Sequence, residues 1–407
     1  MLYHSRLMTA LEEKRAEFVS FERALRGEVR EAAARLRALG ALRAAEIRER
    51  VAERGGTRVT YPSEELDECG SVVVPFEPVW RSHEEARAWA FAALAGRTTF
   101  AADGSQIYPG REVSMPVGAV QVASFENPHA VGVDYVKEAH FRVVSPGELL
   151  EHERAYESPD QVIGLKRFEL EAETIRAFLK RKKGWRARGE RMPVAFLDGT
   201  LLISSRRKGT EVLFFKSYAE ALTELVLASR EAEVPVVGYI DQSFAPDLRD
   251  LIEALDPALR QTNVYDAQLL RTAAKAGGDA PLLRSWGDRT IFWHCQRANL
   301  ADKFYDEQGA PVVGFVYMQT TADGYPARLD LPAWVYKAGL LEETVDAVRA
   351  ECIVGNGYPY AIETADAAAV MTARDREQFL RVMQEFAARE KFDFRIARKA
   401  SSKARRR

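Results

Sequence analysis

The sequence has few cysteines. Cys69, Cys295 and Cys352 are scattered through 407 residues with no Cys-x-x-Cys pair, which argues against a disulfide framework and against a zinc knuckle. Their expected state is buried or inert thiols in a reducing compartment. No apolar run approaches the roughly 18–20 residues that span a bilayer, so a membrane protein is not expected. The opening segment, MLYHSRLMTALEEKRAEF, is charged from the start and lacks an apolar h-region, which predicts no export leader and cytoplasmic residence. A Gly-x-x-x-x-Gly-Lys-Ser/Thr loop is missing, so intrinsic ATP hydrolysis is not expected. His83 and His152 each precede a Glu but lack a second His four residues on, which excludes a zincin. His294, in the apolar run IFWHCQR, reads as a core histidine.

What is present is a globular chain. Apolar residues make up 47% and charged residues 29%, enough for a sizeable core and too balanced for wholesale disorder. The length allows one large domain with additions, or two. The formal net charge of −2 conceals an uneven distribution: residues 395–407 carry seven Lys/Arg and no acid, so the rest of the chain is acidic. A basic tail of this kind can hold a polyanion by counterion release, or remain solvated.

Residues 5 to about 53 contain no proline and show apolar residues at helical spacing (Leu11, Phe18 and Leu25; then Val29 and Leu36), which predicts one or two long amphipathic helices. Such an arm must pack on the body, on a second copy, or on a partner. The Gly/Pro-containing stretch 54–80 reads as an irregular connection, and Ser82 as the N-cap of a helix to about Leu94. Strands follow at Thr98–Asp103, at Val117–Ser124, and at Val131–Val143, where the odd positions are mostly apolar. A helix at about Ser158–Lys180, a strand at Pro193–Leu197, a helix at 217–231 and a strand at Val234–Ile240 complete the order β-β-β-α-β-α-β. This is the order of an RNase H-like α/β fold: a mixed five-stranded sheet flanked by helices. The N-terminal helical arm precedes it, and a C-terminal helical extension ending in a helix at about Asp375–Glu390 follows. The expected division is an arm and linker over 1–80, a domain over 81–392, and a basic tail over 393–407.

Three of these strands are expected to end in an acid: Asp103 (AADGSQ), Asp198 (FLDGTL) and Asp241 (GYIDQS). Strand ends of α/β sheets are where chemistry is done, although Asp-Gly is also common turn chemistry. On the helix 165–180 the apolar stripe is Leu165, Phe168, Ala172, Ile175, Phe178 and Leu179, and Glu171 falls inside it. A carboxylate on a buried face needs an ion pair or a metal, so Glu171 is the preferred candidate ligand and Glu169 the alternative. Clustered carboxylates suit hard divalent ions, and two such ions can stabilise both the attacking and the leaving oxygen of a phosphodiester. Without metal the cluster should repel itself or hold protons.

The strand-borne DGS at Asp103, RFELE at 167–171, LDGTLL at 197–202, GYID at 238–241 and GNGYPYAIETAD at 355–366 together resemble the NurA nucleases, most of all their bacterial branch. The similarity runs from about residue 90 to 390. The resemblance implies Mn²⁺-dependent cleavage of DNA, with Mg²⁺ as the alternative ion, single-strand endonuclease and 5′→3′ exonuclease activity, and a homodimer. It also implies a HerA-type hexameric translocase as partner in DNA end resection and double-strand-break repair. Its site pattern maps onto Asp103, Glu171, Asp198 and Tyr358. The family's histidine, eight residues after that tyrosine, is Asp366 here, which should make the site more acidic and favour harder ions. The resemblance assigns no role to Asp241.

For DNA contact the sequence offers Lys180, Arg181, Lys182, Lys183, Arg186 and Arg188 around Trp185, a combination of charge and stacking surface suited to single strands. Arg206, Arg207 and Lys208 follow Asp198. A solvated surface loop is the competing reading. Two other functions fit the same residues: a catalytically silent scaffold that binds DNA or HerA, and an RNase H-like enzyme acting on RNA or on junctions.

Overall fold

The structure is a computed structural model that describes residues 3–53, 58–151, 158–204, 212–256, 263–271, 280–297, 300–322 and 324–397. The chain divides into two compact units. One comprises residues 1–78, 240–298 and 314–329; the other comprises 79–239, 299–313 and 330–407.

The second unit carries the strands and helices expected from the sequence. Helix α1 (His83–Leu94) begins at Ser82, whose side chain accepts a hydrogen bond from the backbone N–H of Glu85. Strands β1 (Arg97–Ile107), β2 (Gly118–Asn127) and β3 (Val136–Val144) form an antiparallel meander. Helix α2 (Pro159–Lys182), strand β4 (Arg191–Asp198), helix α3 (Val212–Ala232) and strand β5 (Val236–Ile240) follow. β4 pairs parallel with β1, and β5 pairs parallel with β4, giving the order β5-β4-β1-β2-β3. This is an RNase H-like fold. Helices α4 (Leu341–Val354), α5 (Tyr360–Ala369) and α6 (Ala373–Glu390) form the C-terminal extension.

Packing explains the layering. Helix α2 lies on β1 and β2 and buries Leu165, Phe168, Ala172, Ile175, Phe178 and Leu179, with Phe178 stacked on Phe100 of β1 at 4.3 Å. Helix α5 also packs on β1 and β2 and buries Ala361, Ile362 and Ala365. The two central strands are therefore apolar along most of their length, as expected of strands covered on both faces.

Two strand readings need correction. β1 does not end at Asp103 but continues to Ile107, because its partner β2 runs alongside it to Ala119. The third strand begins at Val136, and its apolar odd positions do not form a core face: Phe141 is 53% and Val143 44% exposed. Alternation marks a buried face only where apolar neighbours cover it, and β3 is the edge strand, met from α2 by the Arg142–Glu173 ion pair at the surface.

In the first unit, helices cover His4–Glu13, Arg15–Ala38 and Ala44–Glu53. Short antiparallel pairings join Tyr61–Pro62 with Trp293–His294, and Val73–Val74 with Arg289–Thr290. His294 is buried and stacks on Tyr61 at 5.0 Å. A buried charge network sits here too, with Asp247 between Arg297 and Arg328. Cys295 and Cys352 are buried free thiols, and Cys69 is a free thiol that is exposed. Among the described residues no helix is long and apolar enough to cross a membrane.

Candidate metal centre and active site

Register brings the first two acids together. Ala102 of β1 is level with Leu197 of β4, so Asp103 and Asp198 occupy adjoining positions on neighbouring parallel strands. Side chains alternate along β1. Ser105 points to the α5 face, where its hydroxyl accepts the N–H of Met371 at 3.1 Å, and Asp103 shares that face. Gly104 points the other way, towards α2. A Cβ there would lie 2.5 Å from Glu171 Oε1 and 2.7 Å from Arg167 Cγ. Glycine is thus what lets α2 approach closely enough to present a carboxylate beside β1.

Glu171 is buried and accepts a hydrogen bond from Arg167 Nη1 at 2.8 Å. The same Nη1 donates to Gly104 O at 3.1 Å and stands 3.8 Å from Asp103 Oδ1. Glu169 instead pairs with Lys166 at 2.9 Å, so it is Glu171 that the helix turns toward Asp103.

Tyr358 and Asp366 come from the C-terminal extension. The turn GNGYP packs tightly: a Cβ on Gly355 would lie 2.0 Å from Tyr358 O, and Asn356 and Gly357 take positive φ. This aims Tyr358 so that its hydroxyl donates to Asp198 Oδ1 at 2.9 Å, with its ring edge-on to Tyr239 of β5 at 4.9 Å. Asp366, on α5, brings its carboxyl beside Asp103, where it helps to push the Asp103 carboxyl up.

The electrostatics follow from this crowding. Burial, opposed by the Gly104 N–H and joined by the neighbouring Asp366 carboxyl and the charge of Asp198, raises Asp103 to about 6. Burial raises Glu171 to about 8, against the pull of Arg167 and with a further push from Asp103 and Asp198. All five side chains offer only oxygen, the donor set for a hard divalent ion. They meet in pairs, Asp103 with Asp366, Asp198 with Tyr358, and Glu171 with Arg167. Among the described residues no three or more His, Cys, Asp or Glu side chains stand as a finished cage for an ion. The oxygen-only donor chemistry of Asp103, Glu171, Asp198 and Asp366 fits a hard divalent ion.

One supporting residue had no signal in the sequence. Asp330 is buried and accepts from Thr200 Oγ1 at 2.6 Å and from the Leu201 N–H at 3.1 Å, fixing the turn immediately after Asp198. It comes from 129 residues further along the chain than Leu201, so only the tertiary fold reveals it.

The basic segment is not brought to the carboxylates. Lys180–Arg191 enters β4 at its first residue, whereas Asp198 is its last. The strand is eight residues long, so roughly 20 Å or more separates the two ends at about 3.3 Å per residue. Trp185 is buried and donates its indole N–H to Glu233 O, so it offers no stacking face. Arg181, Lys182, Arg186 and Arg188 pair with Glu126, Glu126, Glu233 and Glu190. Lys180 and Lys183 are exposed. Arg206, Arg207 and Lys208 lie outside the described residues.

An RNase H-like sheet with carboxylates gathered where the parallel pairing of its central strands stops defines a metal-dependent nuclease. The NurA domain model matches residues 97–371, which span every carboxylate of the site. The chain belongs to the NurA family of nucleases. The sequence has no significant match among curated proteins. Similar solved structures include the NurA nuclease from Sulfolobus solfataricus (15% identity, TM-score 0.44, covering 72% of this chain and 85% of that one). A NurA structure with manganese shows 9% identity and a TM-score of 0.40, covering 71% of this chain and 89% of that one. The catalytic domain of human endonuclease V shows 13% identity and a TM-score of 0.29, covering 74% of this chain and 96% of that one.

Proposed function

We propose that this protein is a Mn²⁺-dependent DNA nuclease, with single-strand endonuclease and 5′→3′ exonuclease activity. In this reading it acts in the cytoplasm in DNA end resection and double-strand-break repair, as a homodimer working with a HerA-type hexameric translocase. The observation that carries the reading is the meeting of Asp103, Glu171, Asp198, Asp366 and Tyr358 at one end of the sheet. Family membership supports the substrate, the ion and the partner.

Asp103, Glu171, Asp198 and Asp366 would hold Mn²⁺, or Mg²⁺ in its place. When bound, such ions supply charge neutralisation at the phosphorus and a lowered pKa for an attacking water. The chain's own groups do the rest. Tyr358, whose hydroxyl donates to Asp198, would orient a water or a phosphate oxygen. Asp330 and Gly199 hold Asp198 at the strand end, Gly199 through its N–H to Tyr239 O. DNA contact away from the carboxylates would fall to the exposed Lys180 and Lys183 and to the basic tail. The exposed apolar residues of the first helices, among them Leu11, Phe18 and Phe21, are surface for the second protomer.

The test is cleavage of end-labelled single- and double-stranded DNA and of RNA with Mn²⁺, Mg²⁺ or EDTA, alongside Asp103→Ala and Asp198→Ala. Cutting of DNA that needs the ion and disappears in both variants is the expected result, and the label pattern gives the polarity. A folded wild-type protein that cuts nothing even with HerA and ATP would leave the scaffold reading standing. Cleavage of RNA alone would transfer the activity to the other substrate.

A further inference from the structure

We infer that Arg167 is the built-in counter-cation of the carboxylate site: it occupies the charge position of the divalent ion in the metal-free protein, and the bound metal displaces it towards the DNA phosphate. The inference rests on the metal-dependent reading above and assigns a role to a residue that reading leaves out.

Three observations converge. First, Arg167 stands one helical turn before Glu171 on the same face of α2, and its Nη1 spans Glu171 Oε1, Gly104 O and the flank of Asp103. It bridges two of the proposed ligands from different elements, as a metal would. Second, it is held only in part. Among the described residues its bonds come from Nη1, and its buried Nε finds no hydrogen-bond partner. A guanidinium has five N–H donors in a rigid fork that matches the oxygens of a phosphate, so this one has donors to spare. Third, the side chain is 30% exposed while those of Glu171 and Asp103 are 5% and 13% exposed. The carboxylates are fixed in the wall, and the guanidinium reaches them from the side that faces solvent.

The consequence is an exchange of partners. With no ion, Arg167 limits the repulsion among acids that burial has already pushed towards their protonated forms. Once a divalent ion neutralises the carboxylates, the attraction that held Arg167 is spent. Its stem, packed over Gly104, lets the head turn outwards to an anionic ligand.

The experiment compares wild type with Arg167→Met, which keeps the aliphatic bulk, and with Arg167→Lys, which keeps the charge. Mn²⁺ affinity is read from the free-ion signal in electron paramagnetic resonance, and thermal stability is measured in EDTA and in saturating Mn²⁺. If Arg167 competes with the ion, Arg167→Met binds Mn²⁺ about tenfold more tightly, the scale of one partly buried charge interaction. It should melt below wild type in EDTA, and the gap should close with Mn²⁺. Arg167→Lys should stay near wild type in both respects. At saturating Mn²⁺, kcat/KM on single-stranded DNA should nonetheless fall in Arg167→Met and recover in part in Arg167→Lys. Equal or weaker Mn²⁺ binding by Arg167→Met overturns the counter-cation role. Unchanged kcat/KM at saturation overturns the phosphate role. A folded wild type that binds no Mn²⁺ and cuts no DNA is a different failure, that of the metal-dependent reading itself.

Discussion

Glu171 shows how single residues make this site. Sequence periodicity placed it on a buried stripe, and the structure explains how it survives there: an arginine one turn away, a glycine that clears its path, and a proton. Raised carboxylate pKa values have a definite linkage sign. The folded protein keeps protons on Asp103 up to about 6 and on Glu171 up to about 8, whereas the unfolded chain loses them near the ordinary values of about 4. The folded state therefore binds more protons across that interval, and stability in EDTA should fall as pH rises from about 5 to 9. The apparent midpoints will belong to the cluster rather than to single residues. Melting curves across this range check the prediction: Glu171→Gln should flatten the upper part of the decline, and saturating Mn²⁺ should abolish it. Mn²⁺ binding should itself release protons, visible as a dependence of calorimetric heat on buffer ionisation enthalpy. Gly104→Ala belongs to the same scale. The added Cβ meets Glu171 and Arg167 at closer than contact distance, so a loss of roughly 1–3 kcal/mol is expected from overpacking. Urea unfolding would measure it, and Mn²⁺ affinity should weaken in parallel.

At the level of elements, the C-terminal extension depends on a buried acid. Glu351, on α4, accepts the N–H of Ala361 in the first turn of α5 at 2.8 Å, and its other oxygen lies 3.7 Å from His129 Nε2. A carboxylate at a helix N-terminus is favourable, and this one fixes the start of the helix that carries Asp366, a start at Tyr360 just after Tyr358. Burial nevertheless pushes the Glu351 carboxyl up. Glu351→Ala should lower kcat by roughly 10–100-fold through misplacement of Tyr358 and Asp366. It should also reduce stability by about 1–3 kcal/mol, because the Ala361 N–H loses its partner. Steady-state kinetics with saturating Mn²⁺, together with urea unfolding, separate the two effects. A drop in stability with kcat unchanged would show that α5 finds its place without this contact.

Across the whole molecule the open question is what covers the first helices. From Tyr3 to Phe21 the described residues are exposed, including Tyr3, Leu11, Phe18 and Phe21, while burial begins only around Val29. Contiguous exposed apolar surface marks an interaction site. In the homodimer proposal this surface is the contact, so Phe18→Glu combined with Phe21→Glu should convert a dimer to a monomer in sedimentation equilibrium while leaving the melting temperature of the body nearly unchanged. A dimer that persists in this variant would place the contact elsewhere.

The sequence by itself determined the order of strands and helices in the second unit and the acids on it. Both are local matters: periodicity reports which side of an element is apolar, and a carboxylate inside an apolar stripe is conspicuous wherever the chain goes. Its ordered motifs also pointed to the family. What sequence could not decide was everything set by cover and by distance through space. Alternation at Val131–Val143 looked like a buried face, yet the strand there is an edge that the helices cover only in part. The cluster Lys180–Arg191 sits next to β4 in the chain but at the wrong end of it, since a strand separates its two ends by its full length. Trp185 turned inwards to bond Glu233. Asp330 and Glu351, which hold the Asp198 turn and the start of α5, are ordinary acids in the sequence. They acquire their roles only because the folded chain brings distant segments into hydrogen-bonding range.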